Sequence, residues 1–478
     1  MREGISRDLN NRHILTETKA SAMSYVKNRE QLLSRGNTRL RKITLDIIEY
    51  ALTKADPYRA TLDLVKLDKN TLVVGNLKFD LTNDPRIILI GAGKATFPIA
   101  KALEDLLENR IDDGVIICKY GQEGNFAHCR LHLASHPIPD ESGLAAAKAA
   151  LALAQQTRPG DIVFGCITGG SSALLPYPVP EVTLDDKKRV NHLLLTCGAN
   201  IIEINAVRKH LSRVKGGRLA QAIHPQAHLI NLTVSDVIGD PLDYITDPTV
   251  PDTSTLNDAR NTLTKYELWD RLPSPVARFL KSAGPDHETP KASDLSGHDR
   301  HDFIIVSGDA ACIAAHEKAR DLGFNTMILS TMFEGESREL GKTFAAIARE
   351  IILNQRPLDL PAALFGGGET TVKIDHAEAG KGGPNQEFTV SAALEIADVG
   401  NVVVAGIDSD GTDGPTEVAG GIVDEKTLSK ARDLGIDMYA SLQKHDVTPL
   451  LQRLGNAINT GATGTNVNDL KFMLISSR

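Results

Sequence analysis

The chain has 478 residues and a net charge of −8, with 41% hydrophobic and 24% charged residues. Its length predicts two or three domains at roughly 100–200 residues each, and its composition is that of a globular protein. The acidic balance argues against nucleic-acid binding, which needs a basic surface, but it permits a local basic pocket for a small anionic substrate.

The N-terminal residues 1–41 are predicted to be an extension, since they are polar and charged from the start and have no apolar segment of a secretory signal. No apolar run approaches the roughly 18–20 residues of a membrane-spanning helix, so no membrane partner is expected. The cysteines are scattered, odd in number and without C-x-x-C spacing: Cys118, Cys129, Cys166, Cys197 and Cys312. This pattern predicts neither disulfides nor a zinc site, and it favours a cytoplasmic protein.

Five short apolar runs recur along the chain, and each is followed by a glycine- or aspartate-rich turn: residues 86–90, 161–168, 228–235, 362–371 and 402–414. Continuous apolar runs are typical of parallel strands buried under helices on both faces. The loop at 281–302, rich in Pro, Gly, Ser and charge, marks a boundary. We therefore predict an α/β fold with mainly parallel, Rossmann-like sheets: an α/β domain over residues 42–285, a linker over 286–300 and a second α/β domain over 301–478.

Ligands of such sheets bind beyond the carboxyl ends of the strands, where these turns fall. The first turn, GAGK, contains Gly91, Gly93 and Lys94 and precedes a helical pattern. A lysine at a helix N-terminus predicts a site for phosphate or carboxylate. The alternative interpretation is a tight turn with a solvated lysine.

The second turn, Gly169-Gly170-Ser171-Ser172, offers backbone and hydroxyl donors to phosphate oxygens. Its serines are equally suited to cap a helix. No G-x-S-x-G nucleophile motif is present there.

Cationic residues crowd the segment that follows: Arg208, Lys209, His210, Arg213, Lys215 and Arg218. On a helix these charges would spread around the axis as a solvated face. The KGG sequence breaks the helix, however, and it places Lys215 beside flexible backbone as a point charge for phosphate or carboxylate.

Acidic residues follow the later strands. Asp408, Asp410 and Asp413 are spaced as Mg²⁺ ligands, although Asp-Gly turns are common in themselves. Asp236, Asp408 and Asp410 are alternative candidates for a catalytic base. Two glycine clusters, GGGET and GKGGPNQE, and the segment TGATGTNVNDL near the C-terminus add further polar groups.

Anion donors, cations and an acidic cluster are the components that phosphoryl transfer needs. A dehydrogenase would show G-x-G-x-x-G after a strand, and this sequence does not.

Eight motifs carry a resemblance to a known family: GAGKA, HPIPDESG, TGGSSALL, NAVRKHLSRVKGGRLA, GGET, NQE, DSDGTDGPT and TGTNVNDL. In this order, from about residue 42 to the C-terminus, the chain resembles the glycerate 2-kinases of the MOFRL family, some of which are labelled hydroxypyruvate reductases. The resemblance implies two three-layer α/β domains, a C-terminal MOFRL-type domain and an active site in the cleft between them. It also implies ATP-dependent, Mg²⁺-assisted phosphorylation of D-glycerate at the 2-hydroxyl, with Lys94 catalytic.

Motifs and resemblance together give an expected site in which Lys94 lies on the cleft wall and faces the acids of residues 408–413. The expected catalytic residues are Lys94, Asp236 and Lys215. Those expected to bind the acid are Ser171, Ser172, Arg208, Arg213 and Asn385. Those expected to bind ATP are Gly91, Gly93, Gly169, Gly170, Gly367, Gly368, Glu369, Thr465 and Asn466. Those expected to bind magnesium are Asp408, Asp410 and Asp413.

Two positions depart from the family pattern. Pro384 stands where the family usually has an arginine, and Asp247 replaces the glycine of an SGPT motif. If both face the pocket, they change its charge by about two units. A kinase of another small hydroxy or sugar acid, an NAD(P)H-dependent hydroxypyruvate reductase and a binding protein without turnover remain as alternatives. The sequence also leaves open whether the chain forms a homodimer.

Overall fold

The computed structural model describes residues 24–237, 239, 241–245, 247–374 and 379–477. Residues 1–23 of the predicted extension therefore lie outside the described residues. The described chain begins with three helices, α1 Arg29–Leu33, α2 Thr38–Lys54 and α3 Pro57–Leu64. The Asn37 and Asp56 side chains accept backbone hydrogen bonds at the starts of α2 and α3, as N-caps do. A small antiparallel sheet follows, with strands β1 Val65–Asp68, β2 Thr71–Val74 and β3 Leu77–Asp80.

The first domain is built on a six-stranded parallel sheet, as the continuous apolar runs predict. Its order is β6-β5-β4-β7-β8-β9. The strands are β4 Ile87–Ala92, β5 Ile111–Lys119, β6 Arg130–Ala134, β7 Ile162–Ile167, β8 His228–Val234 and β9 Asp299–Val306.

Nine described helices accompany this sheet. They are α4 Thr96–Leu107, α5 Glu141–Ala154, α6 Ser171–Leu174, α7 Leu184–Thr196, α8 Ile201–His210, α9 Arg218–Ala222, α10 Leu242–Ile245, α11 Leu256–Lys265 and α12 Ser274–Ser282. Short 3-10 turns lie at Glu108–Arg110, Asp247–Thr249, Trp269–Arg271 and Pro285–His287. Helices α7, α8, α11 and α12 enclose an apolar cluster of their own beside the sheet.

The second domain has six strands in the order β10-β11-β15-β12-β13-β14. They are β10 Asn325–Phe333, β11 Ala362–Gly368, β12 Val402–Asp408, β13 Gly420–Asp424, β14 Ala457–Ile458 and β15 Asp469–Ile475. Its helices are α13 Ala310–Asp321, α14 Ser337–Asn354, α15 Pro384–Glu395, α16 Thr427–Asp433, α17 Met438–Gln443 and α18 Val447–Leu454.

The two α/β units confirm the predicted fold class, but the second sheet is mixed rather than mainly parallel. Among the described strands of this sheet, only β10 and β11 pair in parallel. Strand β15 inserts antiparallel between β11 and β12, and β13 runs antiparallel to β12 and β14. Strand β11, which has a parallel neighbour, and strand β15, which runs antiparallel to both neighbours, are each buried along their whole length. Their apolar runs therefore look alike in sequence.

The boundary between the sheets also differs from the predicted linker. Strand β9 is hydrogen-bonded to β8, so the chain leaves the first sheet only after Val306. At the other end, α2 begins at Thr38, within the predicted extension, and packs against α13 of the second domain. The buried Arg41 Nε lies 2.5 Å from Asp424 Oδ2, which fixes α2 to that domain.

A single apolar cluster joins the two sheets, since it contains Phe164 of β7, Phe365 of β11 and Leu45 of α2. All five cysteines are free thiols. Among the described helices, none combines the length and the apolar character needed to cross a membrane.

Candidate active site

A cavity of about 470 Å³ lies between the two domains, where strands of the two sheets end. This is the position that the strand-end turns predict for a ligand. The first domain lines it with Lys94, Lys119, His136, Pro137 and Asp236. The second domain lines it with Glu369, Thr370, Pro384, Asp408, Asp410, Thr412, Asp413, Gly414, Asn466, Asn468 and Asp469.

Lys94 lies in the turn between β4 and α4, and its side chain crosses the cleft. Its Nζ is 2.9 Å from Asp410 Oδ2, so the prediction that Lys94 faces the acids after β12 is confirmed. Burial lowers the pKa of Lys94, but the attraction of Asp410 outweighs burial, and the pKa is raised. With 24% of its side chain exposed, Lys94 remains accessible to a ligand in the cavity.

The glycines of the second turn make room for the side chains of the site. A Cβ at Gly169 would lie 1.8 Å from Asp236 Oδ2. Gly170 has φ +89°, and a Cβ there would lie 3.2 Å from Lys94 Cγ and 3.3 Å from His136 Nε2. These two positions therefore accept only glycine without displacing Lys94, His136 or Asp236.

Asp236 follows β8 and lies on the same wall as Lys94. Its Oδ2 accepts a hydrogen bond of 2.8 Å from Asn466 Nδ2, which belongs to the TGTN segment of the second domain. Burial raises the pKa of Asp236 to about 6, against the opposing effect of the Lys94 charge. Thr465 is buried next to Asn466 in the chain.

The acids of the second domain lie close together and divide into two kinds. Burial raises the pKa of Asp410, but Lys94 and the Thr412 hydrogen bonds outweigh burial, so the pKa is lowered. Burial, with the nearby Asp410 and Asp469 carboxylates, raises the pKa of Asp408 well above its usual range. Burial, with the negative charge of Asp469, also raises the pKa of Glu369. Asp408 and Glu369 are therefore the acids that a cation would stabilise most.

Asp408, Asp410 and Asp413 do not form one metal-binding group, contrary to the prediction from their spacing. Asp413 Oδ1 accepts from the backbone and side-chain nitrogens of Asn385, both at 3.0 Å. Its Oδ2 accepts from the backbone and side-chain nitrogens of Gln386, both at 2.9 Å. Asp413 thus anchors the start of α15. Within the described part of the chain, no three or more His, Cys, Asp or Glu side chains are grouped to hold a metal ion.

Asn385, predicted to bind the acid, is buried behind the cavity wall. Its Nδ2 donates to Asp469 Oδ1 at 2.6 Å, and Lys471 contacts both residues. Asn385 therefore orients Asp469, which borders the cavity.

Lys215, predicted to be catalytic, lies outside the cavity lining and is 1% exposed. Its Nζ donates to Ser172 Oγ at 2.9 Å and to Asp247 Oδ2 at 3.2 Å. Burial lowers the pKa of Lys215, with the Asp247 charge opposing this effect. Nearby, burial lowers the pKa of Lys187 to about 7, and the Lys187 ammonium has no hydrogen-bond partner among the described residues.

The four other residues predicted to bind the acid, Ser171, Ser172, Arg208 and Arg213, are also absent from the cavity lining. Ser171 begins α6 and donates its N–H to the Thr168 carbonyl at 3.2 Å. Arg208 Nε donates to Asn191 Oδ1 at 3.1 Å. Arg213 is exposed, and its guanidinium lies 4.7 Å from the centre of the Tyr177 ring.

The remaining glycines predicted to bind ATP occupy close backbone contacts. A Cβ at Gly91 or Gly93 would collide with Thr96 or Thr168, respectively. In β11, a Cβ at Gly367 would lie 3.0 Å from Cys312 Sγ, and one at Gly368 would collide with the Phe333 backbone. Whether any of these glycines contacts ATP stays a prediction.

Among the cavity residues that sequence reasoning did not single out are the two basic side chains Lys119 and His136. Lys119 is the last residue of β5, and its register partner Ala134 precedes His136 by two positions. Burial, followed by the Lys94 and Lys119 charges, lowers the pKa of His136 to about 4, so the imidazole is neutral at pH 7. The apolar run that ends at Lys119 was a usable signal, because β5 pairs with β4 and ends at the same sheet edge.

Of the two departures from the family pattern, only Pro384 borders the cavity. It occupies the first turn of α15, where a missing N–H is tolerated. Asp247 is paired with Lys215 outside the cavity lining. Relative to the family pattern, the charge of the cavity therefore differs at Pro384 alone and not at both positions.

Comparisons with known proteins agree with this architecture. The domain of unknown function DUF4147 matches residues 43–281, and the MOFRL family matches residues 362–469. Glycerate 2-kinase of Pyrococcus horikoshii is 41% identical over 442 residues, covering 92% of this chain and 98% of the relative. D-glycerate 2-kinase of Thermotoga maritima is 38% identical over 438 residues, covering 91% and 98%. The crystal structure of glycerate kinase from Thermotoga maritima has a TM-score of 0.79 at 36% identity, covering 91% of this chain and 99% of that chain.

Proposed function

The chain belongs to the glycerate 2-kinase family with a MOFRL domain, and we propose that it transfers the γ-phosphoryl group of ATP to the 2-hydroxyl of D-glycerate. The products are 2-phosphoglycerate and ADP. The observation that carries this proposal is the interdomain cavity in which Lys94 Nζ lies 2.9 Å from Asp410 and Asp236 lies on the same wall. A cation, a buried carboxylate and an acidic opposite wall are the components of phosphoryl transfer.

In the proposed reaction, Asp236 accepts the proton of the 2-hydroxyl as the hydroxyl oxygen attacks the γ-phosphorus. The bond between this phosphorus and the oxygen bridging to the β-phosphate breaks, and ADP leaves. The pKa of about 6 leaves Asp236 ionised at neutral pH while it remains basic enough to take the proton. The hydrogen bond from Asn466 to Oδ2 fixes the carboxylate and leaves Oδ1 for the hydroxyl.

Lys94 neutralises charge on the transferred phosphoryl group. Its ion pair with Asp410 keeps the ammonium charged and directed into the cavity. Phosphate oxygens would replace Asp410 as its partner when ATP binds. A positioned cation of this kind stabilises the transition state because the charge is already oriented before the reaction.

The acidic wall fits a magnesium ion bound together with ATP. Mg²⁺ usually takes one or two carboxylates along with phosphate oxygens and water, so a three-carboxylate group is not required. Asp408 and Glu369 would hold it, since both border the cavity and both have pKa values raised by burial and neighbouring negative charge. The ion supplies charge neutralisation of the phosphates when bound.

The reaction is tested by incubating the purified protein with Mg-ATP and D-glycerate and identifying the product by ³¹P NMR. We expect 2-phosphoglycerate and not 3-phosphoglycerate. Other short hydroxy and sugar acids are assayed in parallel, because Pro384 borders the cavity and supplies no cation there. Absence of ADP release with every acid would contradict a kinase, whereas NADH oxidation with hydroxypyruvate would support a reductase.

We also expect a cytoplasmic enzyme. Its five cysteines are free thiols, as is usual for proteins of a reducing compartment.

A further inference from the structure

The cavity has two lysines with different electrostatic environments. Lys94 is already paired with Asp410 across the cleft. Lys119 is half-buried and forms no ion pair with any carboxylate of the described residues. Its positive charge is therefore the one in the cavity that no protein carboxylate neutralises within the described chain.

The position of Lys119 follows from the sheet. It ends β5, which pairs in parallel with β4, and the turn after β4 holds Lys94. His136 lies beyond the end of the neighbouring strand β6. The low pKa of His136 has the Lys94 and Lys119 charges among its causes after burial, so both ammonium groups lie near this ring. A neutral imidazole does not offset the charge of Lys119.

The second-domain residues that line the cavity carry no positive charge. Pro384 is uncharged, and the other lining residues of the second domain are acidic or neutral. A substrate with a carboxylate and a triphosphate brings several anionic oxygens into this cavity, and cations there reduce the cost of removing those oxygens from water.

We propose that Lys119 binds an anionic oxygen group of a substrate, either the carboxylate of the hydroxy acid or the terminal phosphate of ATP. The inference rests on the proposed kinase function and adds a binding residue to that site. Lys94 neutralises charge on the reacting phosphoryl group. Lys119 supplies a second positive charge, either to the carboxylate of the acid or to that same phosphoryl group.

The test compares Lys119→Met, Lys119→Arg and a control, Lys101→Met. Lys101 is also half-buried but lies on α4 outside the cavity lining, where Glu104 and Asp105 pair with it. We expect Lys119→Met to raise the KM of one substrate about tenfold or more, with Lys119→Arg restoring most of the loss. Lys101→Met should leave kcat and both KM values near those of the wild type.

The two sources of the anionic group are distinguished by which KM changes. A rise in the KM for ATP alone shows that Lys119 binds the terminal phosphate. A rise in the KM for the acid alone shows that it binds the carboxylate. Values of kcat and both KM within about twofold of the wild type in Lys119→Met would overturn the proposal. So would a parallel loss of thermal stability and activity in Lys119→Met that Lys119→Arg does not restore.

Failure of the proposed function would be recognised separately. If the wild-type protein forms no phosphorylated acid, calorimetry measures ATP and D-glycerate binding to the wild type and to Lys119→Met. Weaker binding of either compound by the variant would support the role of Lys119 without turnover. Equal binding, or no binding of either compound to the wild type, would overturn it.

Discussion

Lys94 and Lys215 both stand at glycine breaks after an element of the first domain, yet the fold gives them opposite environments. Lys94 pairs with Asp410 of the other domain inside the cavity and is 24% exposed. Lys215 pairs with Asp247 of its own domain, donates to Ser172 and is 1% exposed. A lysine beside glycines can thus be a ligand-binding group or a buried structural ion. The location of its counter-ion decides between the two.

Among the variants that test this comparison, Lys215→Met is expected to have the largest effect, a loss of stability. Removing one partner of a buried ion pair leaves Asp247 uncompensated, and we expect a loss of about 3–5 kcal/mol in the free energy of unfolding. Urea denaturation measures it, and adding Asp247→Asn should recover part of the loss. Normal stability combined with a large loss of kcat would show instead that Lys215 takes part in the reaction.

Lys94→Met should behave in the opposite way. We expect kcat/KM to fall at least tenfold, about 1.4 kcal/mol of transition-state stabilisation. The midpoint of urea unfolding should fall less than for Lys215→Met, because the Lys94 side chain is 24% exposed and Thr412 still donates hydrogen bonds to Asp410. A variant that unfolds readily but retains its specific activity in the folded fraction would make Lys94 a structural residue.

The pH dependence of kcat/KM further distinguishes the role of Lys94 from that of Lys215. The pKa of about 6 for Asp236 predicts that kcat/KM falls about tenfold per pH unit below pH 6, because the carboxyl becomes protonated and cannot accept the hydroxyl proton. Lys94 lowers this pKa, so the residual activity of Lys94→Met should have its acidic limb at higher pH.

The folded fraction of Lys215→Met serves as the control, since Lys215 is not among the causes of the Asp236 shift. Its acidic limb should stay near pH 6. An identical limb in wild type, Lys94→Met and Asp236→Asn would exclude Asp236 as the titrating base.

The smallest effect is expected from Arg213→Ala. The guanidinium lies over the Tyr177 ring and outside the cavity lining, so its loss removes a cation–π contact of about 0.5–1 kcal/mol. Kinetic constants should remain within about twofold of the wild type. A tenfold rise in the KM of the acid would restore the prediction that Arg213 binds substrate.

The sequence was sufficient to predict those features of the fold and of the site that depend on local hydrophobic runs and glycines. The turn after β4, the strand-end acids and the KGG break all lie where hydrophobic runs and glycines place them. The contact between Lys94 and the acids followed from the rule that ligands bind beyond strand ends. These inferences need no knowledge of which strands are neighbours.

The predictions that were wrong or incomplete concern features that depend on contacts between segments distant in the sequence. The antiparallel insertion of β15 between β11 and β12 leaves no mark in its apolar sequence. Asp413 was indistinguishable from Asp408 and Asp410 by spacing, because its partners Asn385 and Gln386 come from another segment. Lys119 and His136 enter the site only through the strand order β6-β5-β4.

The attachment of α2 to the second domain has a consequence for motion. The chain passes from α2 on the second domain to α3, which packs on α4 of the first, and it crosses again between β9 and α13. The two domains are thus connected by two separate backbone segments. Two connections and a shared apolar cluster therefore restrain relative motion of the domains more than a single linker would.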